Sequence, residues 1–187
     1  MLLAIALSTL VLAPAQAAAE GARNDAVIEE DVVQAIRDIT WRRPDSPFNY
    51  FDVTVEKGVV VLSGTVRHAS RGRQIAEEAA RIPGVREVRN DLRAPSDGAS
   101  DERIRRELMR AIYGSLSLSR YSLQAVPPIR ILVERGKVVL AGRVASAVER
   151  DLLTTIAHRS SAFEVENEVE VDPAVANVPA GGLGVRF

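Results

Sequence analysis

The chain has 187 residues, 47 % hydrophobic and 26 % charged, a globular composition that excludes a chain too polar to bury a core. It holds no cysteine and two histidines, His68 and His158, which removes disulfides, thiolate catalysis, cysteine-ligated zinc and any histidine-rich metal site. With 24 basic against 25 acidic side chains the net charge is −1, so nothing in the overall charge attracts nucleic acid.

Met1 to Ala13 reads MLLAIALSTLVLA, an apolar run interrupted only by Ser8 and Thr9. Pro14 is expected to end any helix there, and Ala15-Gln16-Ala17 supplies a small-x-small cleavage pattern. The run falls short of the ~20 residues that span a bilayer and predicts a secretory signal peptide over residues 1–19. Arg23 is the first basic residue, so the positive charge that usually opens such a signal is missing.

From residue 25 the pattern is that of a folded unit. Val32, Ile36 and Ile39 recur at helical spacing, with Asn24 or Asp25 placed to cap the helix. Phe51, Val53 and Val55 alternate as a strand. A three-residue loop ending in Gly58 predicts a hairpin turn, and the next strand puts Val60, Leu62, Gly64 and Val66 on one face. Gly64 on that inward parity predicts a close approach by a helix. A second helix buries Ile75, Ala79 and Ile82, and a last strand carries Val88, Asn90 and Leu92. Asn90 sits at an apolar-parity position, where an amide needs partners, which predicts a tie to a neighbouring loop.

Ala94-Pro95-Ser96-Asp97-Gly98-Ala99 is linker composition, and after it the unit is written again. Glu56 to Val66, EKGVVVLSGTV, recurs as Glu134 to Val144, ERGKVVLAGRV, with seven of eleven positions identical at an offset of 78. Ile104, Leu108 and Ile112 mark the helix, with Ser100 as its cap; Ile129, Ile131 and Val133 mark the first strand. Gly136 and Gly142 stand for Gly58 and Gly64. Val148, Leu152 and Ile156 mark the second helix, and Val165, Asn167, Val169 and Val171 the last strand, Asn167 standing for Asn90. A repeat of this kind decides the architecture. Two tandem units are expected, 25–94 and 99–173, joined by 95–98, with 174–187 as a flexible tail. The order α-β-β-α-β makes each an α+β unit, a three-stranded mixed sheet with both helices on one face.

The pattern of helix, strand, E-x-G-x-V-x-L-x-G-x-V, helix, then G-V-x-x-V-x-N-x-L resembles the BON domain. The first copy has every element, including Gly84-Val85-Arg86-Glu87-Val88-Arg89-Asn90-Asp91-Leu92. The second reads Ser161-Ala162-Phe163-Glu164-Val165 where the Gly-Val pair should stand. The resemblance implies a periplasmic, exported envelope protein that associates with phospholipid and supports envelope integrity or osmotic-stress tolerance. It implies binding rather than catalysis, no cofactor, and a structural role for the shared Gly58, Gly64, Asn90, Gly136, Gly142 and Asn167.

No nucleophile elbow, P-loop or H-E-x-x-H spacing occurs, so no enzyme, cofactor or metal is expected. Glu29-Glu30 and Glu77-Glu78 are adjacent on helices and point to different faces. Glu164, Glu166, Glu168, Glu170 and Asp172 fall on one strand face, which reads as a solvated face or a blunted sheet edge.

The helix-to-strand connections are the candidate lipid contacts. In the first copy Trp41, Phe48 and Tyr50 are interleaved with Arg42 and Arg43; Trp and Tyr favour the membrane interface, and arginines meet phosphates in forked geometry. In the second copy Leu116, Leu118, Arg120 and Tyr121 follow a helix bearing Arg103, Arg106 and Arg110. The competing expectation is that these connections fold back onto the small sheets. Functionally the leading expectation is binding to anionic phospholipid or the envelope surface, with no transmembrane span in the mature chain. The alternative is a module that docks an envelope protein without lipid, for instance through a sheet edge.

Overall fold

The structure, a computed structural model, describes residues 14–177 except Arg42, Pro44, Ser96, Asp97 and Ala125, with side chains from Asn24 onward, Asp38 and Asn177 excepted. Most of the expected leader and residues 178–187 of the expected tail lie outside the described residues.

Helix α1 (Pro14–Thr40) buries Ile28, Val32 and Ile36. It starts well before Asn24 and Asp25, so neither caps it. Pro14, the first of the described residues, is itself helical. Strands β1 (Tyr50–Glu56) and β2 (Val59–Thr65) pair antiparallel, with Glu56 opposite Val59. Only Lys57 and Gly58 separate them, with φ of 52° and 75°. This is a two-residue turn with both φ positive, not the expected three-residue loop, and its twist matches that of the strands. Helix α2 (Ala69–Ala80) then crosses to β3 (Glu87–Arg93), which pairs parallel with β2.

The second unit repeats this order. Helix α3 (Ala99–Tyr113) is preceded by Gly98 and has no side-chain cap, so Ser100 does not serve as one. A 3₁₀ turn (Leu116–Leu118) and the single-turn α4 (Ser119–Ser122) lead to β4 (Ile129–Glu134) and β5 (Lys137–Val144). Helix α5 (Ala147–His158) is capped by Ser146, whose Oγ accepts the Glu149 amide. The last strand is broken into β6 (Glu164–Asn167) and β7 (Glu170–Val171), both parallel to β5. Each sheet thus has the order first–second–third strand, and each unit has its own apolar core.

An aspartate at the start of each unit ties its first helix to its hairpin. Asp25 accepts the Lys57 and Gly58 amides at 2.6 and 2.8 Å, and Asp101 accepts those of Arg135 and Gly136, both at 2.8 Å. Two turn amides that point away from the ladder are satisfied in this way.

The shared glycines and asparagines hold the sheets together. A β-carbon at Gly64, where φ is 121°, would lie 2.6 Å from the Tyr50 carbonyl oxygen and 2.7 Å from Phe51 Cα. Gly142, with φ 102°, meets Pro128 in the same manner. The missing side chain therefore makes room for the neighbouring strand, not for a helix as expected. Asn90 Nδ2 donates to the Gly72 carbonyl of α2, and Asn167 Nδ2 donates to the Arg150 carbonyl and Thr154 Oγ1 of α5. The tie runs to the facing helix instead of a loop, and Asn90 itself is exposed.

The two units lean on each other through their helix-to-strand connections. The 3₁₀ turn Ser46–Phe48 of the first lies against β4 of the second. Arg130 on β4, 2 % exposed, donates through Nη1 to the Ser46 carbonyl and Oγ at 3.2 and 3.3 Å. Phe48 packs against the second core, while Val126 from the second unit is buried in the first. Arg67 also bridges to Glu102 at 2.5 Å. Residues 173–177 form a 3₁₀ turn that buries Val175 in the second core, so the start of the expected tail is folded.

Candidate functional site

The candidate contacts of the first connection are mostly withdrawn from the surface. Trp41 is 3 % exposed and stacks on Phe51 with centroids 5.9 Å apart and planes 9° from parallel. Phe48 is half-buried against the second unit. Tyr50 and Arg43 remain exposed, and Arg42 lies outside the described residues. Trp41 is therefore core in this structure, because a unit this small uses its one indole to fill the sheet-to-helix space.

The second connection divides the same way. Leu118 and Tyr121 are fully buried. The Tyr121 hydroxyl donates to Glu149 Oε2 at 2.9 Å and accepts the Ala145 amide at 2.7 Å. Burial pushes its pKa up to about 12, the Glu149 carboxylate adding to the rise and the Ala145 amide opposing it. Arg120 is half-exposed, 3.5 Å from Glu149 and 6.0 Å above the Tyr121 ring. Leu116, by contrast, is 92 % exposed and Leu123 is 72 % exposed. Leu118 and Tyr121 thus anchor the connection, while Leu116 and Leu123 protrude from it. Leu123 carries no separate signal in the sequence, where it continues the same alternation of apolar and polar residues.

Three exposed cations line one face of α3. Arg103, Arg106 and Arg110 follow one another at spacings of three and four, so they share one helix face, and all three are exposed. The opposite face buries Ile104, Leu108 and Ile112. None of the three arginines forms an ion pair with a described residue. The acids of the same helix are engaged elsewhere: Asp101 by the turn amides, Glu102 by Arg67 and Arg105, and Glu107 by Ser161. A cationic stripe therefore stands on a chain whose net charge is −1. Beside it, between α3 and α5, runs a groove of about 420 Å³ floored by Leu108, Leu152 and Ile156.

The acidic row of the last strand is matched by cations of β5. Lys137 reaches Glu164 and Glu166 at 3.1 and 2.8 Å, and Arg143 reaches Glu170 at 3.4 Å. Glu166 and then Glu164 hold the Lys137 ammonium above its ordinary pKa. Among the described residues no group of His, Asp and Glu has the geometry to hold a metal ion, and no helix is long and apolar enough to cross a membrane.

The two units, with their matching hairpins, glycines and helix-tying asparagines, correspond to one known module used twice. The family profile described as BON domain matches residues 24–95 and again 100–173. The chain belongs to the BON domain family. BON domain proteins are associated with the membrane or the cell envelope and are in general non-catalytic. No curated protein matches this BON chain. Among solved structures, one similar chain is the C-terminal domain of CdsD, the structural protein of the type III secretion system of Chlamydia trachomatis. It is 15 % identical over 78 % of this chain and 64 % of that one, with a TM-score of 0.30. A second CdsD structure from the same organism is 13 % identical over 76 % of this chain and 91 % of that one, with a TM-score of 0.27. The chain thus spans somewhat less than two thirds of the first of these structures.

Proposed function

We propose that this protein is a non-enzymatic, periplasmic tandem BON protein that binds anionic phospholipid at the envelope surface through α3, and so supports envelope integrity under osmotic stress. The observation that carries this reading is the stripe of Arg103, Arg106 and Arg110, exposed and without acidic partners among the described residues. No acid holds these guanidinium groups, Arg110 donating through Nε only to the Arg106 carbonyl, so they can meet a lipid phosphate in forked geometry. Exposed Leu116 and Leu123 follow the helix directly and would add a shallow apolar contact.

Each basic residue near an anionic leaflet contributes on the order of 1 kcal/mol, so the stripe is worth about 3 kcal/mol, or roughly a hundredfold in affinity. Co-sedimentation with phosphatidylglycerol vesicles tests it. Wild type is expected to pellet with these vesicles but not with phosphatidylcholine, and to be released as salt rises. The triple variant Arg103→Ala, Arg106→Ala, Arg110→Ala is expected to remain in the supernatant. Equal recovery with and without anionic vesicles at low salt overturns the lipid reading in favour of a protein-docking role. Trp41 fluorescence should not respond to vesicles, since the indole lies in a core.

A further inference from the structure

The repeat allows each residue of one unit to be compared with its counterpart in the other. Helices α2 and α5 both have 12 residues. They bury equivalent side chains at the offset of 78, Ile75 and Ala79 in the first unit, Leu153 and Ala157 in the second. The same offset sets Gln74 and Glu78 against Leu152 and Ile156, all four half-buried. The fold therefore accepts polar residues at these two positions. In the second unit they are apolar, and they form the wall that α5 gives to the groove beside α3.

The exchange at Ile156 also releases a cation. In the first unit Arg81 is paired with Glu78, the acid three residues before it. Its counterpart Arg159 has Ile156 in place of that acid, is exposed, and forms no ion pair with a described residue. Arg159 lines the groove together with Ser160 and Glu107, and Glu107 already accepts the Ser161 amide and hydroxyl.

The groove consequently has two unlike ends. Glu107 of α3 meets Ser161 just beyond α5, and Arg120 of α4, which follows α3, meets Glu149 in the first turn of α5. The two helices thus run antiparallel along the groove. Arg159, Ser160 and Glu107 stand at one end, Ser115 and Leu152 at the other. Ser115 is followed by Leu116, 92 % exposed, and Leu152 is preceded one turn earlier by Val148, 77 % exposed. A trough that is charged at one end and apolar along the rest has the polarity of a single-chain amphiphile.

We propose that this groove binds a monoacyl anionic phospholipid, a lysophospholipid, with its chain along Leu108, Ala111, Leu152 and Ile156 and its phosphate on Arg159. The hydrophobic effect decides for one chain over two. A chain within a bilayer is already out of water and gains little on leucine side chains, whereas the chain of a dissolved lysolipid is removed from water by the groove. Charge decides the head. Arg103 and Arg110 flank Glu107 on α3 at spacings of four and three, so with Arg159 the cations at that end outnumber its one carboxylate. The volume of about 420 Å³ lies in the range of small-molecule sites. This site goes beyond the bilayer contact of α3, because its walls and its principal cation belong to the groove and to α5.

Calorimetric titration of the full chain with dodecanoyl-lysophosphatidylglycerol, below its micelle concentration, tests the proposal. Wild type should bind one molecule per chain. Ala111→Trp fills the groove from an exposed helix position, and Ile156→Glu restores the first unit's residue and its pairing with the arginine. Each should weaken binding by about tenfold or more, and circular dichroism checks that both variants are folded. Monododecanoylglycerol, with the same chain and no phosphate, reads the head. It should bind wild type about fivefold more weakly than the lysolipid, and Arg159→Gln should abolish that difference. Ala111→Trp keeps Arg103, Arg106 and Arg110 and should still pellet with phosphatidylglycerol vesicles, so the two lipid contacts fail separately. Wild type that takes up no lysolipid overturns the proposal. So does equal binding by wild type and both groove variants, or a head preference that survives Arg159→Gln.

Discussion

Truncating Asp101 to alanine is expected to cost about 3 kcal/mol, and the structure supplies the reason for that size. The Asp101 carboxylate is 4 % exposed and accepts two backbone amides, Arg135 and Gly136, each at 2.8 Å. A hydrogen bond to a charged acceptor contributes ~1.5–3 kcal/mol net, so two set a ceiling near 6 kcal/mol. Arg135 is exposed and Gly136 half-buried, so water recovers part of the loss. Asp25 makes the matching pair of bonds but is only half-buried, with exposed Lys57 as one donor; Asp25→Ala should cost about 1.5–2 kcal/mol. Asp101→Asn keeps one acceptor and turns an N–H toward the second amide, so it should recover less than half of the loss.

Urea denaturation resolves these variants because the two units carry different reporters. Trp41, the only tryptophan, is buried in the first core and follows that unit, while far-UV circular dichroism follows both. Asp101→Ala should shift the dichroism midpoint most. Three results refute the reasoning: a cost for Asp101→Ala within about 0.5 kcal/mol of wild type, full stability in Asp101→Asn, or a larger cost at Asp25 than at Asp101.

Two further perturbations separate backbone and ionisation effects. Gly64→Ala forces a β-carbon against the β1 backbone at positive φ and should cost more than about 2 kcal/mol, whereas Gly72→Ala, inside α2 with its nearest neighbours at 3.5 Å, should be stabilising by ~0.5–1 kcal/mol; thermal unfolding giving both the same sign rules this out. Tyr121 has its folded pKa raised to about 12, above the ~10 of an unfolded tyrosine, so the stabilisation it brings is whole below pH 10 and is lost as pH rises from about 10 to about 12. Tyr121→Phe should lower stability at pH 8 yet flatten that alkaline decline by up to one proton's slope. Guanidinium titrations at pH 8 and pH 11 with the same decline in both proteins would contradict it.

Much of the fold is legible in the sequence because the information it needs is local and appears twice. The 78-residue offset, the helical spacing of Val32, Ile36 and Ile104, Leu108, Ile112, and the alternation in each hairpin depend on chain neighbours alone, and they specify two αββαβ units. The arginines of α3 are also legible as a stripe, since their spacing places them on one helix face. Details that depend on backbone conformation are not. The turn at Lys57-Gly58 is two residues long because both adopt positive φ, and Asp25, which reads as a cap, bonds instead to amides 32 and 33 residues away, as Asp101 does to amides 34 and 35 residues away.

What the sequence determined by itself is the family, the duplication and the absence of a global charge to steer binding. What only the tertiary structure decided is which apolar residues of the two connections are spare. Trp41, Leu118 and Tyr121 carry the same local pattern as Leu116 and Leu123, yet the first three fill cores and the last two stand in solvent. The difference lies in partners that no local pattern encodes: Phe51 stacked on Trp41, Glu149 beneath Tyr121, and Ser46 brought onto Arg130 across 84 residues of chain. Burial is a property of the whole packed surface, so a short segment shows only what it offers for contact, and the fold settles which offers are taken up.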